Sequence, residues 1–245
     1  MNHAPTVAIL AGGLATRLHP ITETVPKSLL NVNGEPFVAH QLKLLKSNGI
    51  ERVVLCVGHL GEQIERTIAD GSALGLQVDY SFDGAMLLGT AGAIRNALPK
   101  LGECFFVMYG DSYLPCDYAA IARKFESTSM LGMMTVFCNE GRWDTSNVEL
   151  ETSGPEQGKI LAYSKTNRTP RMHYIDYGLG VFRAEAFESL PAGTPCDLTE
   201  LYTDLLQRKQ LAAFEVHERF YEIGSPAGLQ ETAKFLAKRE ANQES

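Results

Sequence analysis

A chain of 245 residues with 22 Lys and Arg against 29 Asp and Glu carries a formal charge of −7. That balance excludes the broadly basic surface of a nucleic-acid binder, but not a cleft whose field a few local cations reverse. With 44% hydrophobic and 21% charged residues it can bury one sizeable core or two small ones, and no apolar run approaches a membrane span.

Five scattered cysteines without a C-x-x-C pair and six histidines without H-E-x-x-H give no basis for a disulfide framework or a zinc site. The amino terminus lacks a charged n-region ahead of a long apolar stretch, so a cytoplasmic protein is expected.

Residues 7–10, Val-Ala-Ile-Leu, are a short apolar run suited to a buried strand. Ala11, Gly12 and Gly13 follow at once, then Thr16, Arg17 and the pair Pro26-Lys27. Glycines let a turn fold tightly and let backbone N–H groups approach a ligand. Such a nest with two nearby cations suits a polyphosphate. The loop is no Walker A, lacking Gly-Lys-Ser/Thr, and it lacks the G-x-G-x-x-G spacing of a dinucleotide fold.

Asn33-Gly34-Glu35-Pro36 predicts a turn opening a helix through Phe37, Val38, Leu42 and Leu45, with Gly49 beyond its end. A second buried strand is expected over 52–58, a helix over about 62–69 and a third strand over 78–82. Leu88-Gly89-Thr90-Ala91-Gly92 leads into another helix, and the apolar run 104–109 ends in Gly110-Asp111. This alternation predicts an α/β fold, a Rossmann-like three-layer sandwich with a mostly parallel, mixed central sheet. Ligands of such sheets lie beyond the carboxyl ends of the strands, where Asp111 would point.

Asp117 reads as a helix N-cap. A strand is expected over 131–137, and a small hairpin of 148–150 with 159–163 would stand over the side of a second substrate. Residues 175–182 form a strand with glycines, consistent with close approach of a ligand. Asp197 caps the next helix, 211–216 is a further strand, and Ser225-Pro226 opens a terminal helix to about Arg239. One domain over 1–240 with a frayed tail over 241–245 is expected.

Gly12-Gly13-Leu14-Ala15-Thr16-Arg17-Leu18 with Pro26-Lys27, then Leu88 to Gly92, Gly110-Asp111, Lys165 and Tyr221-Glu222-Ile223-Gly224-Ser225-Pro226 resemble the motifs of the sugar-1-phosphate nucleotidylyltransferases. The resemblance covers nearly the whole chain. It implies transfer of a nucleoside monophosphate from a nucleoside triphosphate to a sugar 1-phosphate, with Mg2+ and release of pyrophosphate. From the charge and the lack of an apolar span, no nucleic-acid and no membrane partner is expected, and a monomer or small homo-oligomer is expected.

By the same resemblance, Arg17, Lys27, Asp111 and Lys165 are catalytic. Leu10, Ala11, Gly12, Gly13, Thr16, Asp83, Gly89 and Thr90 hold the nucleotide. The sugar lies against Tyr109, Gly110, Tyr163, Ser164, Asp176 and Tyr177, and the metal on Asp111 and Glu222. The family pattern is departed from at Ala15 (glycine), Ser164 (glutamate), Asp176-Tyr177-Gly178 (an asparagine-led segment) and Glu222 (aspartate).

Asp83, the short Gly110-Asp111-Ser112-Tyr113 segment and the compact length look closest to guanylyltransferases acting on mannose- or heptose-type 1-phosphates. Uridylyltransferases, including those acting on N-acetylmuramate 1-phosphate, are also similar, and thymidylyl or cytidylyl transfer stays open. Two rivals come from other classes. A glycosyltransferase would place a metal on Asp111 but would not need the cradle with Lys27. A non-catalytic regulatory subunit would account for the changes at Ala15, Ser164 and Glu222, but not for the joint presence of Arg17, Lys27, Asp111 and Lys165.

Overall fold

The computed structural model describes residues 4–13, 18 and 20–243. β1 (Thr6–Leu10) buries Val7 and Ile9 on one face and Ala8 on the other, which is why its apolar run is continuous. β2 (Asn31–Val32) and β3 (Glu35–Pro36) make a small antiparallel pair around Asn33 and Gly34, both at positive φ. Then α1 (Phe37–Ser47), β4 (Arg52–Val57), α2 (Gly61–Ile68), β5 (Gln77–Phe82), α3 (Gly89–Leu101) and β6 (Cys104–Tyr109) alternate.

β1 pairs in parallel with β4 and β6, and β4 with β5. In the order β5-β4-β1-β6 the winding reverses beside β1, and open α/β sheets leave a crevice at that switch point. The turns after β1 and β6 both open onto it.

After β6 come β7 (Ser112–Tyr113) and α4 (Tyr118–Glu126), whose N-cap Asp117 accepts from the Ala120 N–H at 2.9 Å. β8 (Gly132–Cys138), β9 (Val148–Leu150), β10 (Ile160–Tyr163) and β11 (Tyr174–Arg183) extend the sheet. β11 runs antiparallel to both β6 and β8, and β9 and β10 form the expected hairpin, joined to the start of β11. α5 (Glu185–Glu188) and α6 (Leu198–Gln207) precede β12 (Leu211–Val216), which is parallel to β8, and β13 (Tyr221–Glu222), which pairs with β7. α7 (Pro226–Gln243) runs past Arg239 without a break and includes the first residues of the expected tail. Nothing in Ala-Lys-Arg-Glu-Ala-Asn-Gln stops a helix.

The sheet is covered on both faces. Val38, Leu42, Ile64, Ile121 and Phe125 of α1, α2 and α4 pack on one side, and Ile94, Leu101, Leu201 and Leu205 of α3 and α6 on the other. Strand positions alternate between these layers with period two, as Phe105 and Phe106 do. A third cluster seats Leu236 of α7 with Val32, Phe37 and Ile223, which draws β13 against the crevice. Among the described residues no helix is long and apolar enough to cross a membrane.

Candidate active site

At the switch point lies a cavity of about 280 Å³ lined from β1 by Leu10, Ala11, Gly12 and Gly13 and from β6 by Tyr109, Gly110 and Asp111. Main-chain bonds tie its two turns to the sheet. The Ala11 N–H donates to the Cys56 carbonyl at 2.8 Å and the Gly110 N–H to the Leu10 carbonyl at 3.0 Å. A Cβ on Gly110 would stand 2.4 Å from that same Leu10 oxygen, and one on Gly12 would stand 3.0 Å from the Gly58 nitrogen. Only glycine fits at the second turn, and at the first a side chain would crowd the β4 end.

The opposite rim is the start of α3. Gly89 has φ +69, and a Cβ there would lie 2.6 Å from the Cys196 carbonyl oxygen. That oxygen accepts from the N–H groups of Ala91 and Gly92 at 2.9 and 3.2 Å. The Thr90 hydroxyl donates to Asp197 at 3.1 Å and accepts from the Leu198 N–H at 2.7 Å. The small residues of Leu88 to Gly92 therefore clasp the segment leading into α6. Asp83 completes this side, its Oδ2 accepting from the Leu88 N–H at 3.1 Å. Burial raises its pKa against that hydrogen bond.

Lys27 and Asp111 meet across the cavity in an ion pair at 2.7 Å, with side chains 20% and 24% exposed. Lys165, delivered just beyond β10, places Nζ 3.4 Å from the Tyr109 hydroxyl and 5.3 Å from its ring centroid. Asp176 on β11 accepts from the Gly178 N–H at 3.0 Å. Burial raises its pKa, while Lys165 pulls the other way. The buried Tyr163 hydroxyl stands beside Thr199 and Asp176. Its pKa is raised, chiefly by burial and then by the Asp176 charge.

The sequence profile of the nucleotidyl transferase family matches residues 6–239. The chain belongs to the nucleotidyl transferase family. Among curated relatives, the N-acetylmuramate alpha-1-phosphate uridylyltransferase of Neisseria meningitidis serogroup B is 30% identical over 228 residues, covering 91% of this chain and 94% of that protein. The mannose-1-phosphate guanylyltransferase of Mycobacterium tuberculosis is 29% identical over 202 residues, covering 78% of this chain, which spans only about half (52%) of that protein. Among solved structures, HddC from Yersinia pseudotuberculosis complexed with GMP-PN superposes with a TM-score of 0.77 at 22% identity, covering 95% of this chain and 99% of that one. At that identity the likeness speaks for the fold.

In this nucleotidyl transferase the cavity gathers Leu10, Ala11, Gly12, Gly13, Lys27, Asp83, Gly89, Thr90, Tyr109, Gly110 and Asp111, with Lys165 at Tyr109. Thr16 and Arg17 lie outside the described residues. Tyr177 is corrected. Strand alternation turns it into the other layer, where it is 1% exposed and packs on Phe137 and Phe220. The Ser164 hydroxyl accepts from the N–H groups of Thr166 and Asn167 at 3.3 and 2.8 Å, so it shapes the turn carrying Lys165.

Asp197 and Ser28 also line the cavity, and sequence reasoning missed both. Asp197 reads correctly as the N-cap of α6, accepting from the Thr199 N–H at 2.7 Å, but its second role depends on how α6 meets α3. Ser28 had a signal in its position beside Lys27.

Glu222 is turned into its own loop, Oε2 accepting from the Gly224 N–H at 2.7 Å and Oε1 from the Ser225 hydroxyl at 3.2 Å. Gly224 leaves a cradle between two carboxylates: a Cβ there would lie 2.4 Å from Glu222 Oε2 and 3.4 Å from Asp111 Oδ2. Among the described residues no group of three or more His, Cys, Asp or Glu is placed to hold a metal ion. Two neighbouring carboxylates fit a magnesium ion that takes its remaining ligands from water and phosphate.

Proposed function

We propose that this chain transfers a nucleoside monophosphate from a nucleoside triphosphate, GTP in the first reading, to a sugar 1-phosphate of mannose or heptose type, releasing pyrophosphate. The observation that carries the reading is the Lys27–Asp111 pair set between the glycine turns after β1 and β6. In this reading the amides of Gly12 and Gly13 and the Lys27 ammonium hold the triphosphate, with Arg17 on the departing pyrophosphate. Lys165 anchors the phosphate of the sugar, and Tyr109 orients Lys165.

An oxygen of the sugar phosphate attacks the α-phosphorus in line, and the β,γ-phosphates leave. The attacking phosphate is already ionised, so no general base is needed, and positioning with charge neutralisation supplies the catalysis. Mg2+ held by Asp111, with Glu222 beside it, would neutralise charge developing at the α-phosphate.

A second reading takes UTP and a sugar phosphate of the N-acetylmuramate type. Two observations favour it: the near full-length match to the Neisseria uridylyltransferase, and the engagement of one Asp83 oxygen by Leu88. That engagement leaves the other oxygen for a single donor such as the N3–H of uracil. The test is pyrophosphate release with Mg2+, each of five nucleoside triphosphates and a panel of sugar 1-phosphates. Release with GTP and a mannose-type phosphate supports the first reading. Release with UTP alone supports the second, and release with none replaces both with a binding module.

A further inference from the structure

α1 presents apolar side chains inward at Val38, Leu42 and Leu45, and among them stands Gln41 with no exposed surface. Its amide nitrogen donates to the carbonyl of Tyr109 at 3.2 Å and to that of Ser112 at 2.8 Å. These two residues flank Gly110-Asp111, so the side chain spans the turn that carries the Asp111 carboxylate. Two carbonyl acceptors also fix which end of the amide faces the turn. Its own oxygen, Oε1, is buried with no hydrogen-bond partner among the described residues.

A buried glutamine that satisfies only half of its polar atoms is a poor core residue, since an unmet acceptor carries its full desolvation cost. A leucine would satisfy the helix pattern without it. The benefit lies at the other end of the amide. The turn is tied to β1 by the Gly110 N–H on the Leu10 carbonyl and to the segment after β13 by the Ile223 N–H on the Asp111 carbonyl at 2.9 Å. Gln41 supplies the tie from the helical layer beneath.

We propose that Gln41 is a positioning residue for the transfer reaction, bracing the Tyr109–Ser112 turn so that the Asp111 carboxylate is held at Lys27 and the reacting phosphates. The brace rests on the proposed function for its catalytic consequence, but its mechanical part can be read in the free protein.

The test replaces Gln41 by Leu and, separately, by Met, both close in volume and without a donor. Removing Oε1 relieves one unmet acceptor while the Tyr109 and Ser112 carbonyls lose their Gln41 donor, so the melting temperature falls by several degrees but both variants fold. kcat falls at least about tenfold, because a small displacement of a reacting group is costly, while KM for the triphosphate changes less than about threefold. Hydrogen exchange in the substrate-free protein rises about tenfold at Gly110 to Ser112 and stays unchanged in β1 and β4.

Wild-type kcat with wild-type exchange at the turn overturns the proposal. So does failure of both variants to fold, which would make Gln41 a structural residue. Faster exchange at the turn supports the brace even if the wild-type protein turns over none of the substrate panel, a result that would count against the proposed function alone.

Discussion

Along the wall formed by the turns after β1 and β6, main chain holds main chain: Leu10 to Gly110, Cys56 to Ala11, Asp111 to Ile223. Across the cavity, β10 and β11 are organised by side chains, with Lys165 over Tyr109 and Asp176 on its own strand. The two constructions tolerate change differently. A backbone turn closed to 2.4 Å of a hypothetical Cβ admits only glycine, and so leaves a motif. A side-chain wall can exchange one polar group for another, which accommodates Ser164 and Asp176 where the resemblance leads one to expect glutamate and asparagine.

The largest expected effect falls on the first wall. Asp111→Asn should cost roughly a thousandfold in kcat, because the amide loses both the charge that Lys27 pairs with and the better cation ligand. The pair is partly exposed, so its loss should scarcely move the melting temperature. Steady-state rates and a thermal melt of the same preparation check this. Residual activity near wild type would detach the Lys27–Asp111 pair from the chemistry and leave the main-chain wall a mere scaffold.

That wall was the part legible in the sequence. Apolar runs of four to six residues ending in glycine locate strand ends, and strand ends at a switch point locate the crevice. The side-chain wall was legible only in part. Lys165 is reached only through the family resemblance, whereas Tyr177 is placed beside Asp176 although neighbours on a strand face opposite layers. Asp197 looked complete as a cap, and Gln41 was invisible because its partners are carbonyls about 70 positions along the chain. The Glu222 carboxylate folds back on Gly224 and Ser225, a local choice that the motif does not encode.

A smaller effect sharpens the comparison from the other side. Lys165→Met keeps much of the stem over the Tyr109 ring and removes the ammonium. It should lower kcat/KM for the sugar phosphate roughly a hundredfold while leaving KM for the triphosphate within about threefold. Separate titration of each substrate measures this. Equal losses for both substrates would mean that the walls do not divide the two anions between them.

The smallest effects come from two carboxylates on the α3 rim, and there the sign carries the information. Burial holds the Asp83 pKa above its ordinary value of 3.8, so the folded protein pays to ionise it, and the cost grows as pH rises above that value. Asp83→Asn should therefore raise the melting temperature at pH 7, with the gain shrinking as pH falls toward 4. For Asp197 burial also pushes upward, but the Thr199 hydrogen bonds and then Lys165 outweigh it and bring the pKa below 3.8. Its stabilisation is present above the unfolded value and is lost as pH falls through the lowered folded one. Asp197→Asn keeps an N-cap side chain but loses the charge, so it should lower the melting temperature at pH 7 by about 1–2 °C. That loss too should fade in acid. Melts of both variants at pH 7 and pH 4 should show shifts of opposite sign that converge. Shifts of the same sign at pH 7 would mean that both positions are ruled by desolvation, and that Lys165 does not reach across to Asp197.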